Sequence, residues 1–323
     1  MVRIRILLQA ALALAALPAS AQAPAYPSQP VRLIVPQPPG GGFDAVARLL
    51  AEKLAPLLGQ PVVVENRAGS GTVVGTDAVA KAAPDGYTLL LGGLSNIALN
   101  PGLYPKLAYE PLRDFRPVGL AVSYSYTLIG RKDLPHATLA ELVRHARDNP
   151  DQLSYASAGV GSGQHIAAAV LFQQAGVKLL HVPYRGAQPA YQDLLGGRVD
   201  LLFDISPTAR AQVDAGSVKA LAVSSRERQP FHPGVPSLVE TGIAALEMES
   251  WFGIFAPAAV PAPVLARLRA DFDKVMAMPD VIERFRSLGG KPLRLSVEQT
   301  EGLIQAEVAK WGRLVRETGI TLD

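Results

Sequence analysis

Cysteine is absent from the 323-residue chain, and its absence rules out disulfide staples, a lipid-anchoring thiol and any thiol nucleophile. Charge is also sparse. Charged residues make up 18% of the chain and the formal net charge is +3, too little to build the basic face that nucleic acid requires. No apolar run after Leu17 approaches the ~20 residues a membrane-spanning helix needs. Catalytic signatures are missing as well: there is no HExxH, no GxSxG and no GxxxxGK[ST]. The histidines at 136, 145, 165, 181 and 232 have no paired metal-ligand spacing, and GVGSGQ departs from a dinucleotide fingerprint because Gln164 stands where the last glycine belongs. These absences argue against an enzyme, a metal site and a cofactor.

The N-terminus carries a leader pattern. Arg3 and Arg5 precede an apolar run from Ile6 to Leu17, followed by Pro18 and small residues at Ala19, Ala21 and Ala23. Residues 1–23 are therefore expected to be an export signal, cleaved after Ala21 or after Ala23. The triplet Ala19-Ser20-Ala21 favours the first position, because the second would leave Pro24 at the new terminus. The leader holds two of the formal positive charges, so the mature protein is closer to neutral, soluble and globular. At ~100–200 residues per domain, two domains are expected.

Two strand, glycine-loop, helix units dominate the remainder: VRLIVPQPPGGGFDAVARLLAEKL from Val31 and LSYASAGVGSGQHIAAAVLFQQAG from Leu153. In each, an apolar run ends in glycines and passes into helix-period sequence, so backbone N–H groups and a positive helix end converge on one spot. The pattern is an anion-binding device, present twice. Around it, strands and helices alternate, which predicts parallel α/β sheets. Two extended runs, Val118 to Ile129 and Met248 to Pro257, are candidate strands crossing between two lobes, and beyond the second only helices are expected. The resulting fold is α/β and two-lobed, with the two extended runs as crossing hinge strands. Residues 24–123 and 247–323 form the first lobe, and 124–246 the second.

Individual residues carry two readings. Gly40, Gly41 and Gly42, and likewise Gly159, Gly161 and Ser162, either contact an anion through backbone amides or only permit a tight turn; consecutive glycines favour close approach. Asp44 is a helix cap or a ligand group, and since a carboxylate repels an anion its expected task is to hold loop N–H groups. His165 touches ligand or water, or lies exposed in the first helical turn. Asp204 orients a ligand or closes a turn before Pro207, while Arg67 and Arg185 read as packing or surface residues.

The segments YPSQPVRLIVPQPPGGGFDAVAR, VVVENRAGSG, APDGYTLL, LSYASAGVGSGQH, HVPYRGAQPAYQDLLGGRVDLLFD and VKALAVSSRER, in this order, resemble the Bug, or TctC-type, solute-binding proteins of tripartite tricarboxylate transporters. The resemblance spans essentially the whole mature chain. It implies a two-lobed, periplasmic-binding-protein-like (type II) fold and a periplasmic receptor, expected to be a monomer, that captures a small carboxylate and delivers it to a two-subunit membrane permease. It also implies a ligand site made of the loop Gln37 to Asp44 supported by Ser95 and Asn96, and of the loop from Ser157 and Ala158 to His165 with Asp204. The chain departs from the family at Gln37, where an aromatic residue is common, at Phe43, where a smaller one is, and at Ala68 and Ala211, where proline is usual. A receptor that carries its ligand to an extracytoplasmic sensor kinase would share the same fold and pocket. Neighbouring permease or sensor genes separate the two.

Overall fold

A computed structural model describes residues 26–318; the expected leader and the expected helix stop at Gly319 lie outside the described residues. The strands, in chain order, are β1 (Val31–Val35), β2 (Val62–Asn66), β3 (Thr88–Gly93), β4 (Phe115–Arg131), β5 (Ser154–Ser157), β6 (Leu180–Pro183), β7 (Leu201–Ile205), β8 (Val218–Val223), β9 (Glu249–Pro257) and β10 (Gly290–Pro292). β1 lies between β2 and β3 and is parallel to both, and β3 continues antiparallel to β9, which pairs antiparallel with β4. On the other side of the molecule β6, β5 and β7 are parallel, and β7 and β8 each pair antiparallel with β4.

β4 belongs to both sheets. Its residues up to Ser125 pair with β9, and those from Tyr126 onward pair with β7 and β8. The extended run predicted at Val118 to Ile129 is thus a single strand shared between two sheets, longer at both ends than expected. The second predicted crossing differs. β9 lies wholly in the first sheet, and the crossing is made just before it at Met248, whose N–H donates to the Ser224 carbonyl at 3.0 Å. Ser224 ties the crossing together: its Oγ accepts from the Tyr126 N–H at 2.8 Å and donates to the Met248 carbonyl at 2.5 Å.

The helices follow from their apolar spacing. In the Gly42–Leu58 helix Val46, Leu50, Leu54 and Leu58 are buried on one face, and Gly59, at φ 72°, ends it by donating to the Ala55 carbonyl. The final helix, Val297–Thr318, begins with the expected reciprocal cap: the Gln299 N–H donates to Ser296 Oγ and the Ser296 N–H to Gln299 Oε1. It packs against the Leu94–Leu99 π-helical turn and the Asn100–Leu103 helix, with Trp311 fully buried, so the C-terminal helices return to the first sheet. The expectation of helices only after β9 is corrected by β10, a three-residue strand paired antiparallel with β4. Its sequence, Gly-Lys-Pro, is too short to show a period of two and contains the two residues least favoured in strands.

Candidate functional site

Both glycine loops lie at the carboxyl ends of parallel strands, β1 and β5, and both run into helices. They face each other across a cavity of about 610 Å³. One wall is Pro36 to Pro38, Ala68 to Thr72 and Tyr104; the other is Ala158 to Val160, Ser162 and Pro183 to Gly186. Each loop also bonds to the opposite side of the molecule. Gln188 Nε2 donates to the Gly40 carbonyl at 3.2 Å, and the Gly163 N–H donates to Ser95 Oγ at the same distance. A small recess of about 20 Å³ opens among Gln37, Gly42, Ser95, Tyr126, Gln164 and Ser250, with Phe43, Ile205 and Phe252 as its apolar walls.

The first loop is braced from behind by Asp44, which is buried. Its Oδ2 accepts from the Gly40 N–H at 3.0 Å and from Arg48 Nε at 2.9 Å, and its Oδ1 accepts from Asn66 Nδ2. These donors hold its carboxyl below the usual range in spite of burial, which acts the other way. Asn66 also donates to the Gln37 carbonyl, so one side chain ties β2 to both ends of the loop. The Gly42–Leu58 helix then starts at Gly41 without a side-chain cap, and its residues Gly42 and Phe43 line the recess. First-turn N–H groups have no intrahelical partner, so this helix start offers donors and a positive dipole end to the recess.

The second loop is built differently. The Gly163–Gln174 helix is capped by Ser162, whose Oγ accepts from the His165 N–H at 3.3 Å. His165 is buried, and its Nδ1 accepts from the Gly161 N–H at 3.2 Å, which places the proton of the neutral ring on Nε2. Its ring stacks at 4.1 Å on His181, which in turn stacks on Tyr155 at 4.8 Å and bonds Ser157 Oγ through Nε2 at 2.7 Å. Burial pushes His165 down to about 4 and His181 to about 3, the latter helped by its neighbour. Together the rings form a neutral pillar under the glycines. Asp204, fully buried with its carboxyl pushed up by burial, accepts from Gln164 Nε2 at 3.1 Å and from Thr208. It therefore acts through Gln164, holding that amide at the recess.

The sequence-derived residues thus divide into two layers. Gln37, Ala158, Gly159 and Ser162 line the cavity, and Gln37, Gly42 and Ser95 line the recess. Asp44, Ser157, Gly161, His165 and Asp204 lie behind them with partners inside the fold, Gly40 is exposed at the loop's outer edge with its N–H held by Asp44, and a Cβ at Gly41 would point toward Gln37. Asn96 is also internal: its Oδ1 accepts from the Gly93 N–H and its Nδ2 donates to Thr76. Sequence reasoning missed Tyr126, Gln164, Tyr104 and the Ala68 to Thr72 turn. It also set aside Arg185, which is exposed, lines the cavity and is the one charged residue among its lining.

The chain matches the tripartite tricarboxylate transporter family receptor over residues 46–320. It belongs to that family. Among solved structures of similar proteins, the periplasmic binding protein BugD is 38% identical and superposes with a TM-score of 0.87, over 92% of this chain and 99% of that one. A Rhodopseudomonas palustris protein, Rpa4515 with adipate, is 32% identical with a TM-score of 0.87 over 92% and 99% of the two chains. MatC from the same organism, with bound malate, is 35% identical with a TM-score of 0.86 over 90% and 100%. The two-lobed α/β fold is that of the Bug and TctC-type periplasmic binding proteins. Members of this family are solute-binding receptors of the periplasm, and among the described residues no helix is long and apolar enough to cross a membrane.

Proposed function

We infer that the protein is an exported receptor that captures a small dicarboxylate between its two sheets and hands it to a membrane permease of the tripartite type, without transforming it. The observation that carries this reading is the uncapped Gly42–Leu58 helix start at a recess of about 20 Å³, which meets at Gln37 a cavity whose only charged lining residue is Arg185. The recess has room for about one water, whose partners would be Ser95, Gln164 and the first-turn amides. One carboxylate is held there, directly or through that water, and the second reaches Arg185. Adipate and malate, the molecules held by two similar receptors, are both dicarboxylates and differ in length.

The sheet crossing at Ser125 and Tyr126 supports lobe boundaries close to 123/124 and 246/247, with the lobes rotating about Tyr126, Ser224 and Met248. The leader at residues 1–23 supplies export. A thermal-shift screen of the mature protein against mono- and dicarboxylates of four to six carbons tests the reading. A ligand at 100 times its dissociation constant adds about 2.7 kcal/mol of stability. At least one dicarboxylate should raise the melting temperature by several degrees, and Arg185→Gln should reduce that shift more than the shift given by the matching monocarboxylate. No shift from any acid of the panel would sink the proposal.

A further inference from the structure

A second cavity, of about 1010 Å³, shares no lining residue with the first. It lies beside the sheet crossing. Ser123, Glu249 and the Gly289 to Pro292 segment line it from the first sheet, and Arg210 and Phe231 from the far side of the crossing. Arg286, Lys291 and Arg294 also line it; all three are exposed, and among the described residues none of their side chains forms an ion pair or hydrogen bond. Arg210 is held in place, with Nε 3.3 Å from Asp214 and its guanidinium 4.7 Å over the Phe231 ring. Against these cations stands a single lining carboxylate, Glu249. Like charges gathered in one concavity repel each other and raise the local concentration of counter-ions.

The floor gives an independent indication. Ser123 is 5% exposed and its Oγ has no hydrogen-bond partner. A buried hydroxyl without a partner is costly, so such a group in a polar cavity marks a place where a ligand atom or water is expected. Ser123 sits opposite Lys291 in the β4–β10 ladder, which puts the orphaned hydroxyl and one of the free cations at the same place in the wall.

We propose that this cavity is a second ligand site, for a small multivalent anion of the phosphate or polycarboxylate class, separate from the receptor cavity. The free cations Arg286, Lys291 and Arg294 supply the charge, and Ser123 Oγ a neutral donor at the floor. Glu249 selects against an occupant that lies flat on the first-sheet side. Because residues from both sides of the crossing line the cavity, its occupant bears on both sheets at once.

Calorimetric titration of the mature protein with inorganic pyrophosphate and, separately, with propane-1,2,3-tricarboxylate at physiological ionic strength tests the proposal and distinguishes the two sources of charge. At least one of the anions should saturate a single site. That binding should persist in Gly41→Val, which disables the receptor cavity, and weaken about tenfold or more in the double variant Arg286→Gln, Arg294→Gln, as expected for the loss of charge-assisted contacts. Ser123→Ala should weaken it several-fold. Both substituted arginines are exposed, so the double variant keeps the fold. Absence of saturation by either anion at millimolar concentration, loss of binding in Gly41→Val, or an affinity unchanged in either the double variant or Ser123→Ala would each overturn the assignment.

Discussion

The backbone N–H of Gly163, at the start of one glycine-loop helix, donates to the hydroxyl of Ser95 on the opposite side of the cavity at 3.2 Å. Both residues are buried. If the two sides close on a ligand as proposed, this bond belongs to the closed arrangement, since separating the sides lets water replace each partner. Replacing Ser95 by alanine leaves the Gly163 N–H unpaired in the closed arrangement alone, at a cost of about 1 kcal/mol. Ser95→Ala is therefore expected to weaken carboxylate binding about fivefold and to leave the melting temperature of the free protein nearly unchanged. Calorimetry beside a thermal melt checks both halves; an unaltered affinity would mean that the bond contributes nothing to closure.

Glycine substitutions should separate the two loops. A Cβ at Gly41 meets only Gln37 Oε1, at 3.8 Å, and its backbone is in an ordinary region, so Gly41→Val should fold normally while its side chain blocks approach to the helix start. Binding should fall about tenfold or more, the loss of one or two charge-assisted bonds. Gly161 has φ 79°, where a β-branched residue is strained by about 1–3 kcal/mol. Gly161→Val should lower the melting temperature as well as the affinity. Equal melting temperatures for the two variants would contradict this account.

Gln37 lines both the cavity and the recess. Its backbone carbonyl is taken by Asn66, whereas its side-chain amide faces the cavity with a donor and an acceptor to satisfy. The cognate ligand, or a water it carries, should place a polar group against that amide. Gln37→Phe is expected to reduce affinity for a hydroxylated dicarboxylate by about 1–3 kcal/mol and to affect its unsubstituted analogue less. Equal losses in paired titrations would show that Gln37 only fills space.

The histidine pillar should make stability depend on pH. In the unfolded chain both rings titrate near 6.5, but in the folded protein burial holds His165 to about 4 and His181 to about 3. Between those limits the unfolded state binds more protons, so stability is full above pH 6.5 and declines as pH falls through the window. From pH 6.5 to 4.5 the loss should be on the order of 2–3 kcal/mol, with the partly exposed His181 discounted for solvent screening. Asp204, whose carboxyl is raised, opposes the trend by taking up a proton in the folded state. His181→Gln should flatten the curve of melting temperature against pH, and an identical slope in wild type and variant would remove the pillar from the explanation.

The glycine loops were legible because clusters of glycine interrupt apolar periodicity at a strand end, a signal carried within a few residues. The partners that the loops make were not. Gly71, at φ 59°, belongs to a local turn, yet a Cβ there would come within 2.8 Å of the Val160 carbonyl on the opposite wall. Its left-handed backbone explains the glycine locally, but its closeness to the opposite wall is tertiary, so nothing adjacent in sequence marks it as a cavity residue. Arg185 was discounted because a lone arginine in a loop is usually solvated; its significance comes from the lack of any other charge around the cavity. His181 carried no signal in the strand sequence LHVP, and its role exists only because β6 pairs with β5 and brings it against Ser157 and His165. Strand order is similarly non-local, which is why Met248 to Pro257 read as a crossing although its pairing keeps β9 within one sheet.

The strand shared by both sheets also sets a rule for how this chain can change length. From Val122 to Leu128 the pairing of β4 runs without a bulge, first on β9 and then on β7. At its end, Leu128 packs into one hydrophobic cluster and the next residue, Ile129, into another. Successive residues of a strand point to opposite faces, so inserting or deleting one residue in this stretch would exchange the clusters that Leu128 and Ile129 serve. Insertions or deletions of two residues keep both faces in phase. The span between the sheets is therefore adjustable only in pairs of residues.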